Sequence, residues 1–219
     1  MTSRSEKARQ ALMDAAEELY ALHGVEAVSN RAITERAGSA NHSAVAYHFG
    51  TRDGLISALL RRHMDEVGPL RTARIERLDD ATDLRALIAC WVLPHVHVLR
   101  STPAPAWRAR FLFQLRTLPS ADTLTREAMA DADDPEALTA RMSATLGDLP
   151  RGILHARAQI AAGVLLGVCA EFERLVALGD QEGSWEEVGV FLIDAIAGMI
   201  AAPVSPGGHY DPPRSPLGI

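Results

Sequence analysis

Apolar positions in this chain recur with the period of a helix almost wherever they recur at all. Leu12, Ala15, Ala16, Leu19 and Leu22 form an i, i+3, i+4, i+7 stripe, with Glu6, Arg9, Asp14 and Glu17 largely off it. Gly24 follows the last turn, where a left-handed terminal residue is expected. Ser29 is placed to cap a second helix of about two turns, through Ile33 to Ala37, closed again by Gly38. Asn41 is the natural cap of a third helix reaching His48, with Val45 and Phe49 on one face and Ala46 and Tyr47 elsewhere. Thr51 opens a fourth, with Asp53 in its first turn, where a carboxylate suits the helix dipole. Leu55, Ile56, Leu59 and Leu60 make its apolar face, and Arg61, Arg62 and His63 stand near its expected end, with Gly68-Pro69 the first strong break.

Beyond Gly68 the helical segments lengthen, spanning roughly 83–100, 106–117, 121–131, 135–147, 153–178 and 185–201, with prolines between most of them. Strand-like alternation and internal repeats are both lacking. The last seventeen residues, PVSPGGHYDPPRSPLGI, hold five prolines and three glycines, the composition of a disordered tail. The pattern predicts an all-α chain: a compact unit over 1–65, a larger helical domain over 66–202, and a tail over 203–219.

Composition narrows the function classes. Of 219 residues 47% are hydrophobic, enough for a substantial core. The longest apolar runs, within 160–170 and 188–202, fall short of the ~20 residues of a membrane span, and the second contains Asp194. With no basic-led apolar leader, the expectation is a cytoplasmic protein without a membrane partner. Cys90 and Cys169 lie in apolar helical sequence without C-x-x-C spacing and read as reduced core thiols. The net charge of −6 is uneven: residues 1–63 carry eight Lys/Arg against seven Asp/Glu, and the remainder fourteen against twenty-one. The first unit is therefore the relatively basic one.

Two short helices joined by a glycine turn and packed on a longer one make a helix-turn-helix. The chain offers Gly24, Ser29, Ile33, Ala37-Gly38, Tyr47-His48-Phe49 and Thr51-Arg52-Asp53-Gly54-Leu55. These residues, at these spacings, resemble the DNA-binding domain of the TetR (tetracycline-repressor-like) family of bacterial regulators. Two departures stand out. Thr34 replaces the family's usual Ala, and Gly38-Ser39-Ala40-Asn41 is one residue longer than the common Gly-Val-Ser turn.

The resemblance implies a homodimer on a palindromic double-stranded DNA operator. It places Ser29, Asn30 and Arg31 on phosphates, Asn41 at the cap of the reading helix, and His42, Ser43, Ala44 and Ala46 towards base edges. Tyr47, His48, Thr51 and Arg52 would clamp the backbone. Between Gly38 and Gly50 there is no Lys or Arg, but phosphates can be held by hydroxyls and open helix-start amides, and small residues can approach thymine methyls. A catalytic role for Tyr47-His48 would need a nucleophile or an oriented acid–base partner, and neither motif lies nearby. No catalytic residue, metal site or cofactor is expected.

In the larger domain the resemblance implies a small-molecule effector site and dimerisation through the last two helices, about 153–178 and 185–201. Both segments are apolar on most sides, so each needs cover on most sides. Gly163 and Gly167, four apart, permit close helix approach. Trp91 and His95 share the apolar stripe of helix 83–100, beside Pro94, and are candidate ligand contacts with Trp107, Phe111, Phe113 and Phe172. The expected effector is apolar or aromatic with few polar groups. The expected activity is ligand-responsive repression. Two other readings stay open: a DNA-binding architectural protein without an effector, and an α-helical enzyme with its pocket in the larger domain.

Overall fold

The computed structural model describes residues 4–79, 83–129, 135–147 and 149–205, and among these every regular element is a helix. The helices are α1 (Arg4–His23), α2 (Asn30–Arg36), α3 (Ala44–Phe49), α4 (Arg52–Ile75) and α5 (Leu84–Ser101). They continue with α6 (Arg108–Leu115), α7 (Ala121–Met129), α8 (Pro135–Leu146), α9 (Arg151–Leu178) and α10 (Trp185–Ala201). The proline-rich tail from 206 onward, and the expected end of helix 121–131, lie outside the described residues.

Local chemistry sets most of these limits. Ser29 accepts a bond from Ala32 N at 3.1 Å, and Thr51 accepts one from Gly54 N at 2.9 Å, so both expected caps are formed. Gly38, at φ +66°, closes α2. Ser39 N bonds back to Thr34 O and Gly38 N to Glu35 O, the paired bonds of a Schellman end. Thr34 is fully buried, its hydroxyl donating to the Arg31 carbonyl at 2.8 Å.

Three expectations need correction. Asn41 does not cap α3; its Oδ1 accepts from Ser43 N at 3.0 Å, while Ser39 Oγ accepts from Asn41 N at 3.2 Å. Two successive side-chain turns thus absorb the extra residue, and α3 begins only at Ala44. Gly68-Pro69 does not end α4, which runs through Pro69 to Ile75 with Val67 and Arg71 buried on either side of it. Packing of α4 on α5 and α7 outweighs the one backbone bond that proline removes. In α1 the buried edge follows Leu12, Met13, Ala16 and Tyr20, and Leu22 falls beyond it, 47% exposed.

Helices α1 to α4 close on a core of Leu12, Ala16, Tyr20, Ile33, Val45 and Leu55. Gly54 is required here: a Cβ on it would meet the Phe49 carbonyl oxygen well inside contact distance. The end of α3 is thereby seated on the first turn of α4. The larger domain packs α5 on α10, α6 on α9 and α4 on α7. Gly163 and Gly167 face α6 of the same chain, where added Cβ atoms would meet Arg116 and Phe113, so their close approach serves the interior of one chain. Cys90 and Cys169 are buried and free, and burial pushes the Cys169 thiol up to about 12.

Helix α1 ties the two parts together. Tyr20 stacks on Phe111 of α6, centroids 5.9 Å apart. Glu17 pairs with Arg62 of α4 and lies 3.5 Å from Arg108 of α6, which also reaches Glu66 at 3.0 Å. Asp14 adds a second carboxylate to Arg62 at 2.7 Å. Burial holds the Glu17 carboxyl above its ordinary range, although Arg62 and Arg108 pull it down. Losing one member of such a network would strand a buried charge, typically costing ~3–5 kcal/mol.

Candidate nucleic-acid interface

The start of α2 and the outer face of α3 lie side by side at the surface. Ser29, Asn30, Arg31, Asn41, His42, Ser43 and Ala46 are exposed, as is Thr51. Tyr47 is 77% exposed, its ring meeting His48 edge-on at 4.9 Å, and His48 is half-buried. Val45, fully buried, anchors the opposite side of α3. Phe49 is half-buried beneath the Arg9 guanidinium, 5.3 Å from its ring centre. A six-residue helix has little stability of its own, so the buried face and the Gly54 seat hold the exposed one in place.

Two residues expected on this surface are used elsewhere. Ala44 is buried, 6% exposed. With the helix starting at Ala44, this first residue turns inward beside Val45 instead of towards a groove. Arg52 directs Nη2 onto the carbonyls of Val25 and Val28, with its guanidinium 5.9 Å from the Tyr20 ring. Those two carbonyls belong to the α1–α2 connection, so Arg52 braces that loop and is not a free phosphate clamp. Arg31 pairs with Glu35 at 2.8 Å across one exposed turn, and this pair can open at little cost.

The expected ligand contacts separate in the same way. Trp91 and His95 meet, ring centres 6.4 Å apart. Phe111 is fully buried on Tyr20, and Phe172 packs edge-on against Trp185 at 4.8 Å. Trp107 lies under the Arg110 guanidinium at 4.4 Å, and Phe113 is 42% exposed. Periodicity put all of them on apolar faces without saying which helix each face would meet.

Of the polar interior, sequence reasoning placed only His95 on an apolar face and missed the rest. Glu173 of α9, 2% exposed, accepts bonds from Ala109 N at 2.9 Å and Arg110 N at 3.1 Å. It does the work of the side-chain cap that Trp107 cannot provide to α6. His63, Arg71 and His95 are also buried, on α4 and α5. On α10, Val190 and Phe191 are 60% and 58% exposed, and Ile160 of α9 is 56% exposed. No described helix is long and apolar enough to cross a membrane.

No curated protein matches the chain. Among solved structures it is similar to a TetR family transcription regulator from Marinobacter aquaeolei VT8. That match has 18% identity, covers 91% of this chain and 98% of that one, and has a TM-score of 0.44. A TetR-family regulator from Streptomyces coelicolor A3 matches at 16% identity, covering 92% and 98%, with a TM-score of 0.35. The multidrug binding protein EbrR complexed with imidazole matches at 21%, covering 90% and 97%, with a TM-score of 0.35. The model of the family described as bacterial regulatory proteins, tetR family, matches residues 12–59, from within α1 into α4. Over those residues, which carry the caps, glycine turn and exposed short helix already described, the chain matches the model of the tetR family of bacterial regulatory proteins.

Proposed function

We propose that the protein is a transcription regulator that binds a palindromic operator as a homodimer and is released from it, as a repressor, by a small organic effector. The observation that carries the DNA-binding part is the exposed face of α3, with Tyr47 77% exposed on a helix whose other side is fully buried. Ser29, Asn30 and Arg31 at the start of α2, with Tyr47, His48 and Thr51, supply hydroxyl, amide, imidazole and cationic groups for phosphate. His42, Ser43 and Ala46 are the small or polar groups available to base edges. Phosphate contacts place the helix, and base contacts choose the sequence.

The dimer reading rests on Ile160, Val190 and Phe191, large apolar residues of α9 and α10 that this chain leaves uncovered. A second copy related by a two-fold axis covers them and sets two α3 helices one DNA turn apart, ~34–36 Å. The effector reading rests on α4, which begins under α3 and ends inside the larger domain. An effector acts only through a difference in its affinity for the DNA-competent and incompetent states.

A gel shift with the duplex flanking the protein's own gene tests this function. The expected result is a sequence-specific shift that weakens steeply with salt, and that weakens roughly ten- to a hundredfold on Tyr47→Ala. A shift that is equal for unrelated duplexes, or unchanged by Tyr47→Ala, would remove the reading.

A further inference from the structure

Three polar side chains are enclosed in the packing between α4 and α5. Arg71 is 4% exposed, and His63 and His95 are buried with it. Arg71 Nη2 lies 3.0 Å from His95 Nε2, and His95 Nδ1 lies 2.9 Å from His63 Nε2. A guanidinium only donates, so His95 Nε2 must accept. The proton of a neutral His95 then sits on Nδ1 and is donated to His63 Nε2, which leaves the His63 proton on Nδ1. Burial and the neighbouring Arg62, Arg71 and Arg108 cations hold His63 down, to about 3, and burial with His63 and Arg71 holds His95 low as well, so both rings are neutral.

The chain of bonds therefore has one polarity and two open ends. Among the described residues His63 Nδ1–H has no partner, and neither has Arg71 Nε–H. Both are donors. Arg62 is answered by Asp14 and Glu17, and Arg108 by Glu17 and Glu66. Among the described residues no carboxylate pairs with Arg71. A buried cation and two unused N–H groups together call for an acceptor that carries one negative charge.

We infer that this interior receives the polar end of a small organic monoanion, its carboxylate on Arg71 and a second, neutral oxygen on His63. The inference rests on the effector-responsive reading above and names the effector's chemistry. A monoanion balances the single guanidinium, whereas a dianion such as phosphate would leave a buried charge of its own. Val67, fully buried one turn from each of His63 and Arg71 on α4, and the Trp91 ring, 6.4 Å from that of His95, make the surroundings apolar and aromatic, which suits an apolar, planar body.

The test uses the full chain without DNA and three probes: 2-naphthoate, 6-hydroxy-2-naphthoate and 2-naphthamide. Binding is read by thermal shift and by tryptophan fluorescence. Both carboxylates are expected to bind saturably and the amide at least tenfold more weakly, with the hydroxylated acid tightest. Arg71→Lys retains the preference for carboxylate, and Arg71→Met abolishes it while keeping or raising the melting temperature of the free protein. His63→Phe removes only the advantage of the hydroxyl. Equal binding of acid and amide, no binding of either acid, or a marked drop in melting temperature for Arg71→Met would overturn the inference, the last because Arg71 would then be a structural group. Because DNA is absent, a failed operator shift leaves this result standing, and a failed carboxylate preference leaves the operator result standing.

Discussion

Tyr47 and Glu173 invert the usual placement of an aromatic and a charged side chain, and each inversion has a measurable consequence. The Tyr47 ring is in solvent, so Tyr47→Ala should change unfolding free energy by less than about 0.5 kcal/mol. If its hydroxyl holds a phosphate, affinity for operator falls by the ~1.5–3 kcal/mol of a bond to a charged group, or roughly ten- to a hundredfold. Equal losses of stability and binding would make Tyr47 a packing residue. Glu173 is enclosed and satisfies the first amides of α6 and the Arg110 guanidinium at 3.2 Å. Glu173→Ala should cost about 2–3 kcal/mol in urea unfolding by leaving those donors unpaired. An unchanged midpoint would contradict the cap. Only one of these two placements was legible in the sequence. Tyr47 follows from the spacing of Val45 and Phe49, whereas the partners of Glu173 lie more than sixty positions away.

At the scale of elements, α4 joins what the sequence divides. Its polar interior makes stability depend on pH through His63 and His95, whose folded-state pKa values lie below the ordinary 6.5. The unfolded chain takes up protons below about pH 6.5 that the native chain refuses. Stability is therefore fully present above that pH and falls as pH drops, by at most ~1.4 kcal/mol per unit for each histidine. Glu17, held above its ordinary range, contributes with the opposite sign at lower pH, so wild type and His63→Phe are to be compared over the same interval. From pH 7.5 to 5.5 the variant should lose distinctly less stability in urea titrations, and parallel curves would contradict the buried neutral pair. Helix limits set by local caps, Ser29 for α2 and Thr51 for α4, were legible because the capping atoms lie within three residues. The start of α3 was not, because Asn41 and Ser39 offer the backbone a competing turn. The passage of α4 through Pro69 was not legible either, since packing against α5 and α7 decides it.

At the scale of the whole molecule, two apolar residues on one turn of α10, Val190 and Phe191, stay uncovered on the side of the helix opposite its buried Leu192, Ile196 and Ile200. Phe191→Glu should shift the protein to monomer in sedimentation at micromolar concentration and leave helicity unchanged. A dimer that persists would place the interface elsewhere. The sequence made the all-α architecture and the exposed face of α3 accessible, the first through helical periodicity and the second through the spacing of Val45 and Phe49. The internal roles of Arg52, Arg71 and Arg108 stayed hidden, because a charged residue on a helix reads as surface until its neighbours are known. The central claim is that the outer face of α3 reads DNA, and selection from a pool of random duplexes tests it most directly. The account predicts one enriched palindrome with half-sites a single helical turn apart, and a changed or lost preference when His42 and Ser43, the polar residues set towards base edges, are both replaced by alanine. A pool that stays random with the wild-type protein, or the same enrichment with the variant, would contradict it.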